Sequence, residues 1–425
     1  MDEYIIGIDV GSSNICAAAG KLDRYGKMQI MGITSADCSG VKKGVVIDID
    51  STSESIKKCI YDLERMIDIK IEEAYIALPG GLSELVETKG VVAISSEDGE
   101  VRRNDVNRVL KASKVMTIPN DKEIIGIIPE QYIIDGYDKI KDPIGMSGVR
   151  LEVDAQLVIA QSSVINNFFK SVNRAGVKAS GLVFEPTAMS QAVLRDEEIQ
   201  RGVLLVDVGG DSINIYDYNS GKLASMATAP IGGNSITNDI SVCLKIPISS
   251  AENLKKKYAS VESLSDVKSF EVEVNTDYNS KVKVDYDVLI QIIQARVEEL
   301  LCIIDSRIRN LDNNENISEV VLVGGGISQI KGIKEFSEKV LEKHVRIGVP
   351  NYIGASSPMY VTAVGVVKDA SNSMDGKYEN PLNKYEEKKS EDYKNLLRHG
   401  AETENKEYES SGFVSKIKEF FTDFF

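Results

Sequence analysis

A short phrase recurs about two hundred residues apart, and it constrains the fold more than any other feature of the chain. Ile8-Asp9-Val10-Gly11-Ser12-Ser13-Asn14-Ile15 returns as Val206-Asp207-Val208-Gly209-Gly210-Asp211-Ser212-Ile213. Each copy follows an apolar β run (Tyr4-Ile5-Ile6-Gly7, then Val203-Leu204-Leu205) and re-enters another apolar stretch. The pattern predicts strand, tight turn, strand, with an aspartate at the end of the first strand. Glycines after the aspartate let backbone N–H groups close on an anion without a side chain in the way. One Asp-x-Gly turn is commonplace and mostly structural, but two in one chain can grip the phosphates of one nucleotide from opposite sides.

At 425 residues the chain exceeds one ordinary core, so two lobes or more are expected. A net charge of −15 argues against general nucleic-acid binding, which needs a basic footprint. Cys16, Cys38, Cys59, Cys243 and Cys302 are scattered without a C-x-x-C pair and read as small hydrophobes in a reducing compartment. His344 and His399 lie far apart and outside every glycine-rich loop, which argues against a Ser-His-Asp triad or a zinc site. The chain starts straight into a strand with no basic and apolar leader, and no apolar run approaches bilayer length, so a cytoplasmic protein is expected.

Along the first region, Ser51-Thr52-Ser53-Glu54 resembles a capping box opening a helix to about Met66, with Ile56, Ile60, Leu63 and Ile67 on one face. The strand Glu73–Leu78 then ends at Pro79-Gly80-Gly81. Residues 83–160 break this rhythm with a strand near 84–95, a helix near 103–116 and strands near 122–135 and 149–160. They read as a strand-helix-strand-strand module inserted in the first lobe; the alternative is an ordinary continuation of that lobe. The first lobe therefore comprises 1–82 and 161–200, with a helix near 357–369 packing back on it through the small residues Ala355, Ala363 and Gly365. The second lobe comprises 201–244 and 304–356. Between these, 245–303 forms a small subdomain with a lysine-rich helix, a strand pair (Phe270–Val274, Lys281–Val284) and a long helix from about Asp287 to Asn310. Residues 370–411 lose their apolar content and read as a flexible linker.

The last fourteen residues, 412–425, reverse that trend and hold five of the ten phenylalanines of the chain. Phe413, Ile417, Phe420, Phe421 and Phe424 fall on one helical face, with Lys416, Lys418, Glu419, Thr422 and Asp423 on the rest. A peptide so amphipathic, set after a linker, suits a bilayer interface or a partner groove. Docking back on its own globular part is the alternative. Burying a phenylalanine is worth about 1.5–3 kcal/mol, and ordering the helix consumes much of the sum, so a reversible anchor is expected.

Five segments line up in order: the first Asp-x-Gly turn, Phe184-Glu185-Pro186-Thr187, the second turn, Val321-Leu322-Val323-Gly324-Gly325-Gly326-Ile327, and Gly354-Ala355-Ser356-Ser357-Pro358. In that order the sequence resembles the actin superfamily, with two phosphate loops, two connecting helices and an adenosine loop. Within it, Ala229-Pro230-Ile231-Gly232-Gly233-Asn234-Ser235-Ile236-Thr237-Asn238-Asp239-Ile240 and Lys43-Gly44-Val45-Val46-Ile47-Asp48 resemble the FtsA family of bacterial cell-division proteins. The placement of the insert and the phenylalanine tail match that family too.

The resemblance implies an α/β, actin-like two-lobed ATPase fold of duplicated ribonuclease-H-like lobes, carrying the inserted subdomain and a C-terminal amphipathic helix. It implies ATP and Mg²⁺ as ligands, with Asp9 and Asp207 holding the metal through water. Gly11, Ser12, Ser13 and Asn14 would cradle phosphates from one side, and Gly209, Gly210, Asp211 and Ser212 from the other. Asp211 departs from the barest cradle, and its carboxylate would point away or toward metal water. Glu185 would polarise an attacking water. Gly324, Gly325, Gly326 and Ile327 would meet the adenosine, Gly232, Gly233 and Asn234 would follow the second loop, and Glu252 with Lys255 would contact ribose and base. A solvated helix face is the alternative for that last pair.

The implied function is an ATP-binding protein that polymerises at the cytoplasmic membrane, anchors the tubulin-like FtsZ ring through the FtsZ C-terminal peptide at about 245–303, and recruits later division proteins. Hydrolysis would be slow at most. An actin-like scaffold of type IV pilus assembly is the alternative, and a small-molecule kinase of the same superfold is the weaker one, since no substrate acid–base pair marks the sequence.

Overall fold

Each copy of the repeated phrase joins the first two strands of a five-stranded sheet. In the first lobe Ile5–Val10 pairs antiparallel with Asn14–Leu22, which pairs with Met28–Asp37. On its other side Ile5–Val10 runs parallel to Glu73–Leu78, and that strand to Lys178–Phe184. In the second lobe Val203–Val208, Ile213–Asn219, Lys222–Ala229, Glu319–Val323 and His344–Ile347 repeat the same order and polarity. Asp9 stands opposite Cys16 and Asp207 opposite Asn214, equivalent register positions one step before each turn. The two lobes are the duplicated halves of the actin-like fold. The computed structural model describes residues 4–262, 271–275, 281–311, 317 and 319–374, all within the unit Met1–Asn380. The tail expected at 412–425, and the linker beyond 374, lie outside the described residues.

Parallel neighbours require crossovers, and helices supply them. Ile49–Ile67 precedes Glu73–Leu78, and Ser162–Arg174 precedes Lys178–Phe184. Tyr286–Arg309 and Ile333–Leu341 precede the corresponding strands of the second lobe. The helix Ile49–Ile67 starts earlier than the expected capping box. Asp48 is its cap, its carboxylate accepting from the Asp50 and Ser51 amides at 2.9 and 3.0 Å. Thr52 bonds back to the Asp48 carbonyl instead of capping. Ile56, Ile60 and Leu63 are buried as the periodicity demands, while Ile67 is half-buried.

The insert has the expected order, Ser83–Ala93, helix Arg103–Ser113, Lys122–Ile134 and Arg150–Gln161, with one further strand, Tyr137–Ile140, hairpinned onto the third element. It has its own core, in which Val109 from the helix packs with Leu151, Val153 and Leu157 from the sheet. It also touches the second lobe, through Lys222 to Glu130 at 2.7 Å and Gln156 Nε2 to the Leu223 carbonyl at 3.3 Å.

Two expected boundaries move. Tyr286–Arg309 runs unbroken through 303/304, because Leu289, Ile293, Val297, Leu300, Ile304 and Ile308 form one buried face shared with the second-lobe core. The linker expected from 370 does not hold for 370–374, since the helix Val361–Met374 still buries Ala370 and Ser371. This helix packs Val364, Val366 and Val367 with Ile5, Ala18 and Val183 of the first lobe. Gly365 lies against the backbone of Ala188, where a Cβ would collide with the Ala188 carbonyl. At its far end the helix is clasped to the helix Glu185–Val193: Gln191 Nε2 donates to Asp369, Asn372 Nδ2 to Gln191 Oε1, and Lys368 Nζ to the Gln191 carbonyl, at 2.6, 2.8 and 2.6 Å.

Candidate functional site

The two repeated turns face each other across a cleft of about 520 Å³ between the lobes. They are built alike: the Gly11 amide closes on the Asn14 carbonyl at 3.1 Å, and the Gly209 amide on the Ser212 carbonyl at 2.9 Å. The first turn also reaches the helix Gly233–Leu244 that follows the second, since Ser13 Oγ donates to Asn234 Oδ1 at 3.0 Å. Glycine is required where the two turns meet. A Cβ on Gly210 would overlap Ser13 Oγ, and one on Gly324, at φ +85°, would overlap the Asp207 carboxylate.

Three carboxylates converge here: Asp9 from the first strand, Asp207 from its duplicate, and Glu185 from the start of the helix Glu185–Val193. Burial, reinforced by Glu185, pushes Asp9 up to about 8. Burial, then Glu185 and Asp9, holds Asp207 well above the usual carboxylate range, and burial raises Glu185 too. Such mutually repelling acids in a cleft are stabilised by a cation or by protons. Among the described residues, no group of three His, Cys, Asp or Glu side chains converges closely enough to form a metal cage.

Also in the cleft lining, the lysine of Glu252-Asn253-Leu254-Lys255 is tied down. Its Nζ lies 2.7 Å from Glu252 and donates to Thr237 Oγ1 and the Gly233 carbonyl at 2.8 and 3.1 Å. Burial lowers the Lys255 pKa. The structure therefore favours a cleft wall over a solvated helix face for this pair.

Of the residues singled out from sequence, Asp9, Glu185 and Asp207 line the cleft, as do Gly11, Ser12, Ser13 and Asn14 of the first turn. So do Gly209, Gly210 and Ser212 of the second, Gly233, Asn234, Glu252 and Lys255 after it, and Gly324, Gly325 and Gly326. Three do not. Asp211 is turned to Asn234 Nδ2 at 2.8 Å, Gly232 packs beneath the carbonyls of Gly209 and Gly210, and Ile327 is fully buried in the second-lobe core. Phe413, Lys416, Ile417, Lys418, Phe420, Phe421 and Phe424 lie outside the described residues. The sequence reading overlooked Lys256, Gln329, Met359 and Thr362 in the lining. It also overlooked Tyr216, whose hydroxyl donates to Glu185 Oε2 at 2.9 Å. The alternation Asn214-x-Tyr216-x-Tyr218 was the available signal, since it puts three polar-tipped side chains on one strand face.

Comparison with known proteins is consistent throughout. A family model described as cell division protein FtsA matches residues 204–365, and one described as the SHS2 domain inserted in FtsA matches 80–159. The latter coincides with the inserted sheet. The chain is 35% identical over 371 residues to the cell division protein FtsA of Bacillus subtilis, covering 87% of this chain and 84% of that protein. It is 31% identical to the FtsA of Enterococcus faecalis, covering 99% and 98%. Among solved structures, a PilM–PilN type IV pilus biogenesis complex superposes with a TM-score of 0.60 at 14% identity, over 87% of this chain and 99% of that one. MreB 5 of Spiroplasma citri bound to AMPPNP gives 0.53 at 12% identity, over 89% and 99%. No helix among the described residues is long and apolar enough to cross a membrane. The chain belongs to the FtsA family, the actin-like cell division proteins.

Proposed function

We propose that this division protein binds ATP with Mg²⁺ in the cleft between its lobes, and uses the bound nucleotide to hold the lobes closed for assembly at the membrane. The observation that carries the reading is the mirrored pair of glycine turns, each following an aspartate at a strand end and each lining the same cleft. Residues fit the ligand on both ends. Asp9 and Asp207 would hold Mg²⁺ through water, which offsets the burial and, after it, the mutual repulsion that raise their pKa values. The turns Gly11–Asn14 and Gly209–Ser212 would take the phosphates, Glu185 would orient a water, and Gly324–Gly326 with Glu252 and Lys255 would take the adenosine. When bound, Mg²⁺ supplies charge compensation for the phosphates.

The solved MreB 5 neighbour holds AMPPNP, and a MamK neighbour forms a double helical filament, which supports nucleotide-linked assembly of this chain. The amphipathic pattern of 412–425 supports reversible attachment to the cytoplasmic membrane. Membership in the family supports anchoring of the FtsZ ring through its C-terminal peptide, received on the small subdomain of the second lobe. Titration calorimetry with ATP and Mg²⁺ tests the core of the reading. Binding by the full chain that is lost in Asp9→Ala is expected; equal affinity in the two proteins would overturn the site. Pull-down of FtsZ with and without its C-terminal peptide tests the partner, and absence of capture in both arms would remove it.

A further inference from the structure

Glu185 is held by both lobes at once. Its Oε2 accepts the Gly80 amide at 3.0 Å, from the first lobe, and the Tyr216 hydroxyl at 2.9 Å, from the second. Oε1 takes neither bond, while the residue lines the cleft. Two donors on one oxygen fix the plane of a carboxylate, and bonds to a charged acceptor are the stronger kind. Tyr216 is fully buried and Glu185 is 5% exposed, so no bulk water stands ready to replace the hydroxyl.

The tie has a second strand-face member. Tyr218, two residues on, donates its hydroxyl to the Pro186 carbonyl at 2.7 Å. Both tyrosines project from Ile213–Asn219 of the second lobe, and both acceptors sit at the start of the helix Glu185–Val193 of the first. The fit is close: a Cβ on Gly80 would come within 2.6 Å of the Tyr216 ring. Separation of the lobes breaks both tyrosine bonds together and leaves Glu185 with the Gly80 amide alone.

We propose that Tyr216 is a positioning residue that couples the orientation of the Glu185 carboxylate to closure of the cleft. The inference rests on the reading of Glu185 as the group that orients a water beside the nucleotide. In the closed arrangement Tyr216 holds Oε2 and so directs Oε1 into the cleft. With the lobes apart Glu185 is free to turn, which keeps an open cleft from wasting its ligand.

The full chain and its Tyr216→Phe, Glu185→Gln and doubly substituted forms test this. Phenylalanine keeps the ring and its packing and removes only the hydroxyl. ATP affinity by calorimetry is expected to stay within about twofold of wild type, while single-turnover hydrolysis falls about 10- to 100-fold, the loss of one bond to a charged group. The double variant is expected to be no slower than Glu185→Gln alone, because the tyrosine acts through the carboxylate. Amide exchange in nucleotide-free protein gives an independent readout: the Gly80 amide should exchange faster in Tyr216→Phe. Unchanged exchange at Gly80 overturns the proposal, as does unchanged hydrolysis or an additive double variant. A wild-type chain that binds no ATP would instead sink the nucleotide reading, while the exchange experiment would still report on the latch.

Discussion

Replacing Asp9 by asparagine should strengthen the fold and abolish its use, and the structure sets the size of the first effect. Asp9 is pushed up to about 8 by burial and by Glu185, whereas in the unfolded chain it ionises near 4. Between those values the native state holds a proton that the unfolded state has lost. Stability therefore falls as pH rises: the contribution of Asp9 is complete below about pH 4 and gone above about pH 8. Each unit in the window costs about 1.4 kcal/mol, so going from pH 5 to pH 7 removes about 2.7 kcal/mol through this one group. Water entering an open cleft screens part of it, leaving about 1–3 kcal/mol. Asparagine has the same shape and nothing to titrate. Urea unfolding of the full chain followed by circular dichroism, in EDTA and without nucleotide, should thus show Asp9→Asn stabilised relative to wild type, and by about 1–3 kcal/mol more at pH 7 than at pH 5. The same variant should lose ATP·Mg²⁺ affinity. Wild-type and variant curves with the same pH slope would refute the electrostatic argument, whatever happens to binding.

Other outcomes follow from single contacts. Lys255→Ala removes the cation shared by Glu252, Thr237 and the Gly233 carbonyl in the cleft wall, and should weaken ATP binding by about 5- to 150-fold in calorimetry, the worth of about 1–3 kcal/mol. Gly365→Leu drives a side chain into the Ala188 backbone and should cost about 2–4 kcal/mol, read as a lowered urea midpoint. Asp48→Ala uncaps the helix Ile49–Ile67 and should cost about 1 kcal/mol in the same assay, leaving ATP affinity unchanged. Phe421→Glu should release the full chain from vesicles in a flotation assay, and persistent co-flotation would remove the tail from the account of membrane attachment.

The parts of this molecule that were legible in sequence are those where a local pattern carries the geometry. The repeated turn, the apolar face of Tyr286–Arg309 and the small residues of Val361–Met374 all declare themselves through spacing. Elements of few residues did not: Tyr137–Ile140 and His344–Ile347 are four residues each, too short for periodicity to separate strand from loop. Asp48 was passed over because Ser51-Thr52-Ser53-Glu54 also satisfies a capping pattern, and only backbone dihedrals choose between them. Ile327 reads as part of a glycine loop, yet the chain turns back into the core directly after Gly326. The least legible contact is Tyr216 to Glu185, because it joins different lobes and no local rule places one strand face against a distant helix start.

The helix Glu185–Val193 is about 13 Å long and rigid, and its two ends do different work. One end presents Glu185 to the cleft; the other, through Gln191, clasps Asp369 and Asn372 on the helix from which the C-terminal segment departs. It therefore links the cleft to the helix Val361–Met374 as one short strut. A displacement of Asp369 and Asn372 would reach Gln191 first and, along the strut, the carboxylate in the cleft. By the reciprocity of linked equilibria, whatever the cleft does to the hold on Val361–Met374, a load on that helix does to the cleft. Under the membrane attachment and nucleotide binding proposed above, a load on the helix Val361–Met374 would bias the state of the cleft.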